Sequence, residues 1–226
     1  MVTKLSRYAR YVVTAAWVIA GGWLFGETAG KVRAVWLVVP TPPEIARDVT
    51  IRNVPDEQGK KASFRILLFS DEFRWRINSF DQLDRGSRPQ FTPEMKAVLN
   101  SAKEIICVGA SSEEVPAGVS FPVGRAQEEK RAARRAERIA VWVREALDRP
   151  IPVRKLNVGH HAPEGTADTS EQRRVVIILV LNKDEGINID QSLKTAMAGE
   201  AVRAPIFEAL LTKYSLGGGT TFNWVP

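Results

Sequence analysis

The chain has 226 residues, of which 44% are hydrophobic and 26% are charged, and its formal net charge is +6. This length favours one domain with appendages over two full domains, and the composition excludes a wholly disordered chain. The positive charge permits binding to nucleic acid or to an anionic surface. Acidic and basic residues are interleaved along the chain, so net charge alone does not indicate such a partner.

An apolar stretch near the N-terminus predicts a membrane segment. Lys4, Arg7 and Arg10 precede YVVTAAWVIAGGWLFG, which contains no Asp, Glu, Lys or Arg. With its flanks it approaches the roughly 20 residues that span a bilayer, and the basic residues before it favour a cytoplasmic N-terminus. We predict a cytoplasmic segment 1–10 and a transmembrane anchor, or an uncleaved signal, over 11–30. A cleaved signal peptide is the alternative.

This placement puts most of the chain outside the cytoplasmic membrane and therefore argues against nucleic acid as a partner. Residues 31–63, which include PTPPEIARDVTIRNVPDEQGKKAS, are rich in proline and charge. Prolines favour an extended, semi-rigid segment, so a tether that makes no packed element is predicted over 31–63.

Strand and helix signals alternate from Phe64 onwards. FRILLF predicts a buried strand and RWRI a short half-exposed one, whereas EIICVG, IPVRKLNVGHH and RRVVIILVLN predict three further strands. Before EIICVG, Thr92 as N-cap and Pro93 at the first helical position predict the start of a helix. Interleaved strands and helices indicate an α/β fold, an α+β sandwich of about four strands and two main helices over 64–182.

A second helix is predicted over 125–148 and carries a ridge of arginines. Apolar residues recur there at spacings of three and four and form one narrow face. Arg131, Arg135 and Arg138 lie beside that face. A C-terminal extension over 183–226 predicts a weaker helix interrupted by Pro205, followed by a tail.

Few residue types offer catalytic or metal chemistry. Cys107, the single cysteine, lies in an apolar run and is predicted to be a buried core thiol. His160 and His161 are adjacent, so on an extended chain they point to opposite sides and do not share one metal. No triad spacing is identifiable. We predict no catalytic residues, no metal site and no cofactor.

Four strings resemble the OmpA-like peptidoglycan-binding domain over roughly 64–182. FTPEMKAVL is similar to the first-helix signature of that family, and EIICVGASS to its second strand, which ends in glycine-histidine-threonine-aspartate. RAARRAERIAVWV looks like its second helix, and VRKLNVGHHAPEGTADTSEQRRVVI like its closing signature. The resemblance implies the element order β-α-β-α-β-β, after one N-terminal transmembrane helix.

The resemblance also implies a ligand site, in which an arginine and a carboxylate clasp the zwitterionic diaminopimelate of the cell-wall stem peptide. Arg135 matches the clasping arginine, and we expect it to be distinct from Arg131 and Arg138. Ser112 stands where the family has its aspartate, with Glu113 or the following Glu114 as substitutes for the missing charge. The predicted ligand-binding residues for the peptidoglycan stem peptide are Arg135, Ser111, Ser112, Glu113, Glu128 and Arg174.

Two functions follow from the resemblance. The first is a non-catalytic, single-pass protein of the bacterial inner membrane whose C-terminal domain, in the periplasm, anchors that membrane or a complex in it to peptidoglycan. The alternative is a protein–protein adapter, a structural subunit of an envelope assembly, whose OmpA-like domain has lost peptidoglycan binding. The apolar surface of the extension favours this alternative. A flagellar stator B subunit is disfavoured, because residues 11–26 contain no acid to carry protons.

Overall fold

We analysed a computed structural model that describes residues 44–84, 91–114, 117–165, 167–200, 205–219 and 221–226. They belong to one compact unit, Pro40–Pro226. Its elements in chain order are β1 (Ile45–Pro55), β2 (Lys61–Phe69), α1 (Pro93–Asn100), β3 (Glu104–Ser111), α2 (Phe121–Ala146), β4 (Val153–His160), β5 (Val176–Lys183), α3 (Ile189–Glu200), α4 (Pro205–Thr212) and β6 (Asn223–Val225). Short 3-10 helices span Asp71–Phe73 and Ser170–Arg173.

Six strands form one mixed sheet in the order β1-β2-β5-β3-β4-β6. The β3 and β4 strands are parallel, and the other neighbouring pairs are antiparallel. Within 64–182 the observed order is β2-α1-β3-α2-β4-β5. The predicted α/β class and the β-α-β-α-β-β order are therefore confirmed, with one further strand at each edge of the sheet.

The central strands are buried on both faces. In β3, Ile105 and Cys107 face a core closed by α1 and α2, whereas Ile106 and Val108 face a second core. This arrangement explains why EIICVG is apolar throughout rather than alternating. The start of α1 is as predicted, because the Thr92 hydroxyl accepts a hydrogen bond from the Met95 N–H and Pro93 opens the helix.

The segment 31–63 was predicted to be a tether, but part of it forms the edge strand β1. It pairs with β2 over Ile45–Pro55, and Val49 and Ile51 pack against the second core. Asp48 forms an ion pair of 2.5 Å with Arg65 of β2. The prolines lie before the strand and at its last residue, where an edge strand tolerates them. The tether prediction is wrong for these residues.

The extension is part of the fold. Leu193 and Met197 of α3, Leu210 of α4 and Phe222 of the tail are buried in the second core. The apolar residues of the extension that the structure describes thus cover the domain's own sheet. The sequence predicts instead that they form a docking surface, and the structure does not bear this out. β6 pairs with β4 and covers that edge. The limits 64–182 of the OmpA-like segment stay a prediction.

Among the helices that the structure describes, none has the length and apolar character needed to cross a bilayer. The predicted cytoplasmic segment 1–10 and anchor 11–30 lie outside the described residues.

Candidate functional site

The C-terminal end of β3 lies directly against α2, and Gly109 makes this approach possible. A Cβ atom at Gly109 would lie 1.9 Å from the carbonyl oxygen of Ala132 and 2.7 Å from the amide nitrogen of Ala136. Two residues later the buried Ser111 hydroxyl donates to the carbonyl oxygen of Glu128 at 3.0 Å. The small residues therefore bring the middle of α2 onto the end of the strand.

Arg135 of α2 is enclosed at this strand end, with 1% of its surface exposed. Its Nη1 donates to the carbonyl oxygen of Ala110 at 2.8 Å, its Nε to that of Ser79 at 2.9 Å, and its Nη2 to that of Arg76 at 3.3 Å. Among the described residues, no carboxylate hydrogen-bonds to this guanidinium. Main-chain carbonyl groups take the place of water around a buried charge.

Charged groups of both signs lie around Arg135 and act on its pKa. Burial, together with the charge of Arg131, lowers the pKa of Arg135 from 12.5 to about 9, whereas Glu128 acts in the opposite direction. Glu128 is itself buried and forms an ion pair with Arg131. Arg173 also acts on the pKa of Arg135, in the same direction as Arg131. The guanidinium stays charged at neutral pH.

The segment 74–84 covers Arg135 and is held in place by aromatic and polar contacts. Trp75, with 1% of its surface exposed, stacks on Trp142 of α2 with ring centroids 5.3 Å apart. The Arg135 guanidinium carbon lies 5.6 Å from the centroid of the Trp75 ring. The N–H of Trp75 donates to the carbonyl oxygen of Arg173 at 2.9 Å, and Arg173 Nη1 donates to that of Trp75. This covering segment engages Nε and Nη2 of Arg135, two of the positions that would donate to a ligand carboxylate.

The residues after β3 do not supply an acid to Arg135. Ser112 is buried and hydrogen-bonds to the Glu114 carboxylate. Burial acts to raise the pKa of Glu114, but the hydrogen bonds from Ser112 and Thr169 and the charge of Arg173 together lower it. The main-chain N–H of Glu113 donates to Gln172 Oε1 at 2.9 Å. The main chain of Glu113 and the carboxylate of Glu114, which accepts a hydrogen bond from the Thr169 hydroxyl, hold the loop to the segment around Ser170–Arg173.

Arg174 lies apart from the Arg135 site. Its guanidinium pairs with Glu171 at 2.7 Å and with Asp71 at 2.6 Å. It lines a cavity of about 570 Å³ that is also bordered by β1, β2 and α4. Of the two neighbouring arginines, Arg173 faces the Arg135 site. It forms an ion pair of 3.3 Å with Asp84, and its buried Nε has no hydrogen-bond partner among the described residues. The structure thus brings Arg135, Ser111 and Glu128 together and separates Arg174 from them.

The two histidines face opposite sides of the sheet, as predicted. The His160 ring packs edge-on against Phe121 of α2, with centroids 6.0 Å apart. The His161 ring packs edge-on against Tyr214, with centroids 4.9 Å apart. Among the residues that the structure describes, no group of three or more His, Cys, Asp or Glu side chains is placed to hold a metal ion.

Sequence reasoning missed the segment that covers Arg135. The alternation RWRI places Trp75 on one side and its arginine neighbours on the other, which is a usable signal that Trp75 is buried. The acceptors of Arg135 are the main-chain carbonyl groups of Arg76, Ser79 and Ala110, and no side-chain pattern in the sequence predicts such acceptors.

Comparisons with known proteins show little similarity to this chain. No protein-family model matches the sequence, and no curated protein matches it. A solved structure, the OmpA-like domain of FopA1 from Francisella tularensis subsp. tularensis SCHU S4, is similar over 62% of this chain and 84% of that one, with 10% identity and a TM-score of 0.33.

Proposed function

We propose that this chain is a non-catalytic structural subunit of a bacterial envelope assembly, which works by protein–protein contact through an OmpA-like domain whose arginine site is closed. In this proposal residues 11–30 anchor the chain in the inner membrane, and the domain lies in the periplasm.

One observation carries the proposal. The guanidinium of Arg135 is buried and donates to three main-chain carbonyl oxygens, so it is not presented to a ligand. The resemblance assigns to this position the clasp for a stem-peptide carboxylate. A second group that the clasp needs, an acid for the ligand's ammonium, is absent at Ser112. A hydroxyl does not neutralise an ammonium, and losing a charge-assisted hydrogen bond costs about 1.5–3 kcal/mol.

Peptidoglycan anchoring is the second candidate function. The nearby guanidinium groups of Arg131 and Arg173, and the buried Arg173 Nε that has no hydrogen-bond partner among the described residues, favour an anionic group there. For this function the segment 74–84 has to move away, which breaks the stacking of Trp75 on Trp142.

Sedimentation with purified cell-wall sacculi separates the two functions. We expect the full-length chain to remain in the supernatant, while a peptidoglycan-binding OmpA-like domain used as positive control sediments. Replacing Trp75 by alanine should release the covering segment. If the wild type sediments with sacculi and an Arg135→Lys variant shown by circular dichroism to be folded does not, the anchoring function replaces the adapter function.

A further inference from the structure

We propose that the solvent-facing side of α2 forms a docking groove for an acidic, partly apolar segment of a partner protein. The inference rests on the proposed adapter function and names the surface and the chemistry of its partner. The α2 groove is formed by Phe80, Lys130, Arg131, Arg134, Arg138 and Val141.

Phe80 divides the α2 groove into two concave sites. A cavity of about 280 Å³ lies on one side of the ring, towards Gln127 and Lys130. A cavity of about 480 Å³ lies on the other side, towards Arg138 and Val141. Phe80 and Arg134 line both, so the two cavities lie next to each other along the helix.

Apart from Arg131, which pairs with Glu128, the cationic side chains of the α2 groove have no acidic partner among the described residues. Lys130, Arg134 and Arg138 are spaced four residues apart and therefore share one face of α2. Among the described residues, no carboxylate lies within ion-pair distance of these three side chains. Like charges at this spacing destabilise a helix, and an acidic partner would relieve that repulsion.

The acids of the same helix are mostly engaged elsewhere. Glu128 pairs with Arg131, and Glu129 accepts hydrogen bonds from Arg125 at 2.9 Å and from Ser215 at 2.6 Å. Glu137 is the one acid that borders either cavity of the α2 groove among the described residues. The groove therefore keeps a net positive charge that complements an acidic segment.

Apolar side chains in and beside the α2 groove indicate that the partner segment carries apolar groups as well as acids. The guanidinium of Arg134 lies 4.9 Å from the centroid of the Phe80 ring. Val141 is 40% exposed, and Ile77, close to Phe80 in the chain, is 48% exposed. Arginine and aromatic residues are enriched in the cores of protein interfaces. A flat lipid surface does not enter a depression, so a protein segment that combines acids with apolar side chains fits best.

Fluorescence anisotropy with the purified full-length chain tests the proposal. The probe is a labelled twelve-residue peptide in which glutamate and leucine alternate, and its control has glutamine in place of glutamate. Arg134→Glu and Phe80→Ala should each weaken binding of the glutamate peptide by about tenfold, because both remove groups at the centre of the groove. Lys96→Glu, an exposed residue of α1 with the same change in charge, should alter affinity by less than about twofold.

Each other outcome overturns the proposal. Equal weakening by Lys96→Glu and Arg134→Glu would show attraction to net charge alone. Equal affinity for the two peptides would show that the acids do not matter. Binding to phosphatidylglycerol vesicles that Arg134→Glu abolishes, with no peptide binding, would identify a lipid surface instead.

Two further measurements separate a loss of binding from a loss of folding, and the docking groove from the proposed function. Melting temperatures establish that the variants are folded, and Arg134→Gln replaces Arg134→Glu if the latter is not. Sedimentation with sacculi reports on the proposed function separately, because Arg135 does not line the α2 groove. Arg135-dependent sedimentation would overturn the adapter function, whereas loss of peptide discrimination would overturn only the docking groove.

Discussion

Arg135 differs from its neighbours in what its side chain holds together. It donates to three carbonyl oxygens of two separate segments, whereas Arg134 is exposed and contacts Phe80. From the sequence alone, lysine at position 135 is expected to leave the fold intact and to weaken binding. The structure reverses this expectation, because the ammonium of lysine cannot reproduce the planar set of donors.

We therefore predict that Arg135→Lys lowers the free energy of unfolding by about 2–4 kcal/mol, from lost hydrogen bonds to buried carbonyls. The matched control Arg134→Lys should change it by less than about 0.5 kcal/mol. Urea unfolding followed by circular dichroism measures both. Equal effects of the two substitutions would show that Arg135 is an ordinary solvated residue.

Cys107 gives the molecule a predictable response to alkaline pH. Burial raises the pKa of its thiol above the ordinary value of 9.0. The folded state therefore keeps the thiol proton at a pH where the unfolded chain releases it. The contribution of the thiol to the free energy of unfolding is thus fully present below pH 9 and falls as the pH rises above it. The slope approaches about 1.4 kcal/mol per pH unit.

Urea unfolding at pH 8 and pH 10 checks this prediction. Wild type should lose stability between these values, and Cys107→Ala should lose less, although the variant is less stable at both. Tyr214, whose pKa burial also raises, is common to both proteins. The same loss in both proteins would contradict a buried, protonated thiol.

At the scale of the elements, the contact of α2 with β3 depends on Gly109. A methyl group there would overlap the helix backbone at Ala132 and Ala136. We predict that Gly109→Ala lowers the free energy of unfolding by about 3 kcal/mol or more, since main-chain atoms cannot move aside as a side chain does. Gly199 of α3 is the control, because nothing lies within 4 Å of its added Cβ.

For Gly199→Ala we expect no loss and a gain of up to about 1 kcal/mol, since alanine is the better helix former. Urea unfolding of both variants provides the measurement. A small effect at Gly109 would mean that α2 does not lie directly on the strand.

The elements show what local sequence determines. Thr92 and Pro93 signal the start of α1 by local chemistry, and the structure confirms it. β1 was missed because its strand character comes from pairing with β2, and the neighbouring prolines mask its weak alternation. The sequence predicts one part of the Arg135 site, the position of this residue beside the apolar face of α2. It does not predict the main-chain acceptors, because these depend on how the segment 74–84 folds back.

At the scale of the whole molecule, the extension and the central domain form one cooperative unit. Leu193 of α3 is fully buried in the second core, as Leu99 of α1 is in the first. We predict that Leu193→Ala and Leu99→Ala each lower the free energy of unfolding by about 2–5 kcal/mol. Each variant should unfold in a single transition that is coincident by tryptophan fluorescence and circular dichroism.

A negligible effect of Leu193→Ala, or a separate transition for the extension, would contradict this account. It would indicate that α3 and α4 are an appendage, available to partners, as the sequence alone suggests.

The central claim is that Arg135 serves the fold rather than a ligand. The most direct test is the ¹H–¹⁵N spectrum of the arginine Nε–H groups of the full-length chain, recorded with and without a stem tripeptide containing diaminopimelate. The account predicts a slowly exchanging signal that is absent in Arg135→Lys and does not move when the peptide is added, because Nε is buried and bonded to Ser79. A signal that exchanges rapidly, or that shifts in proportion to bound peptide, would contradict it.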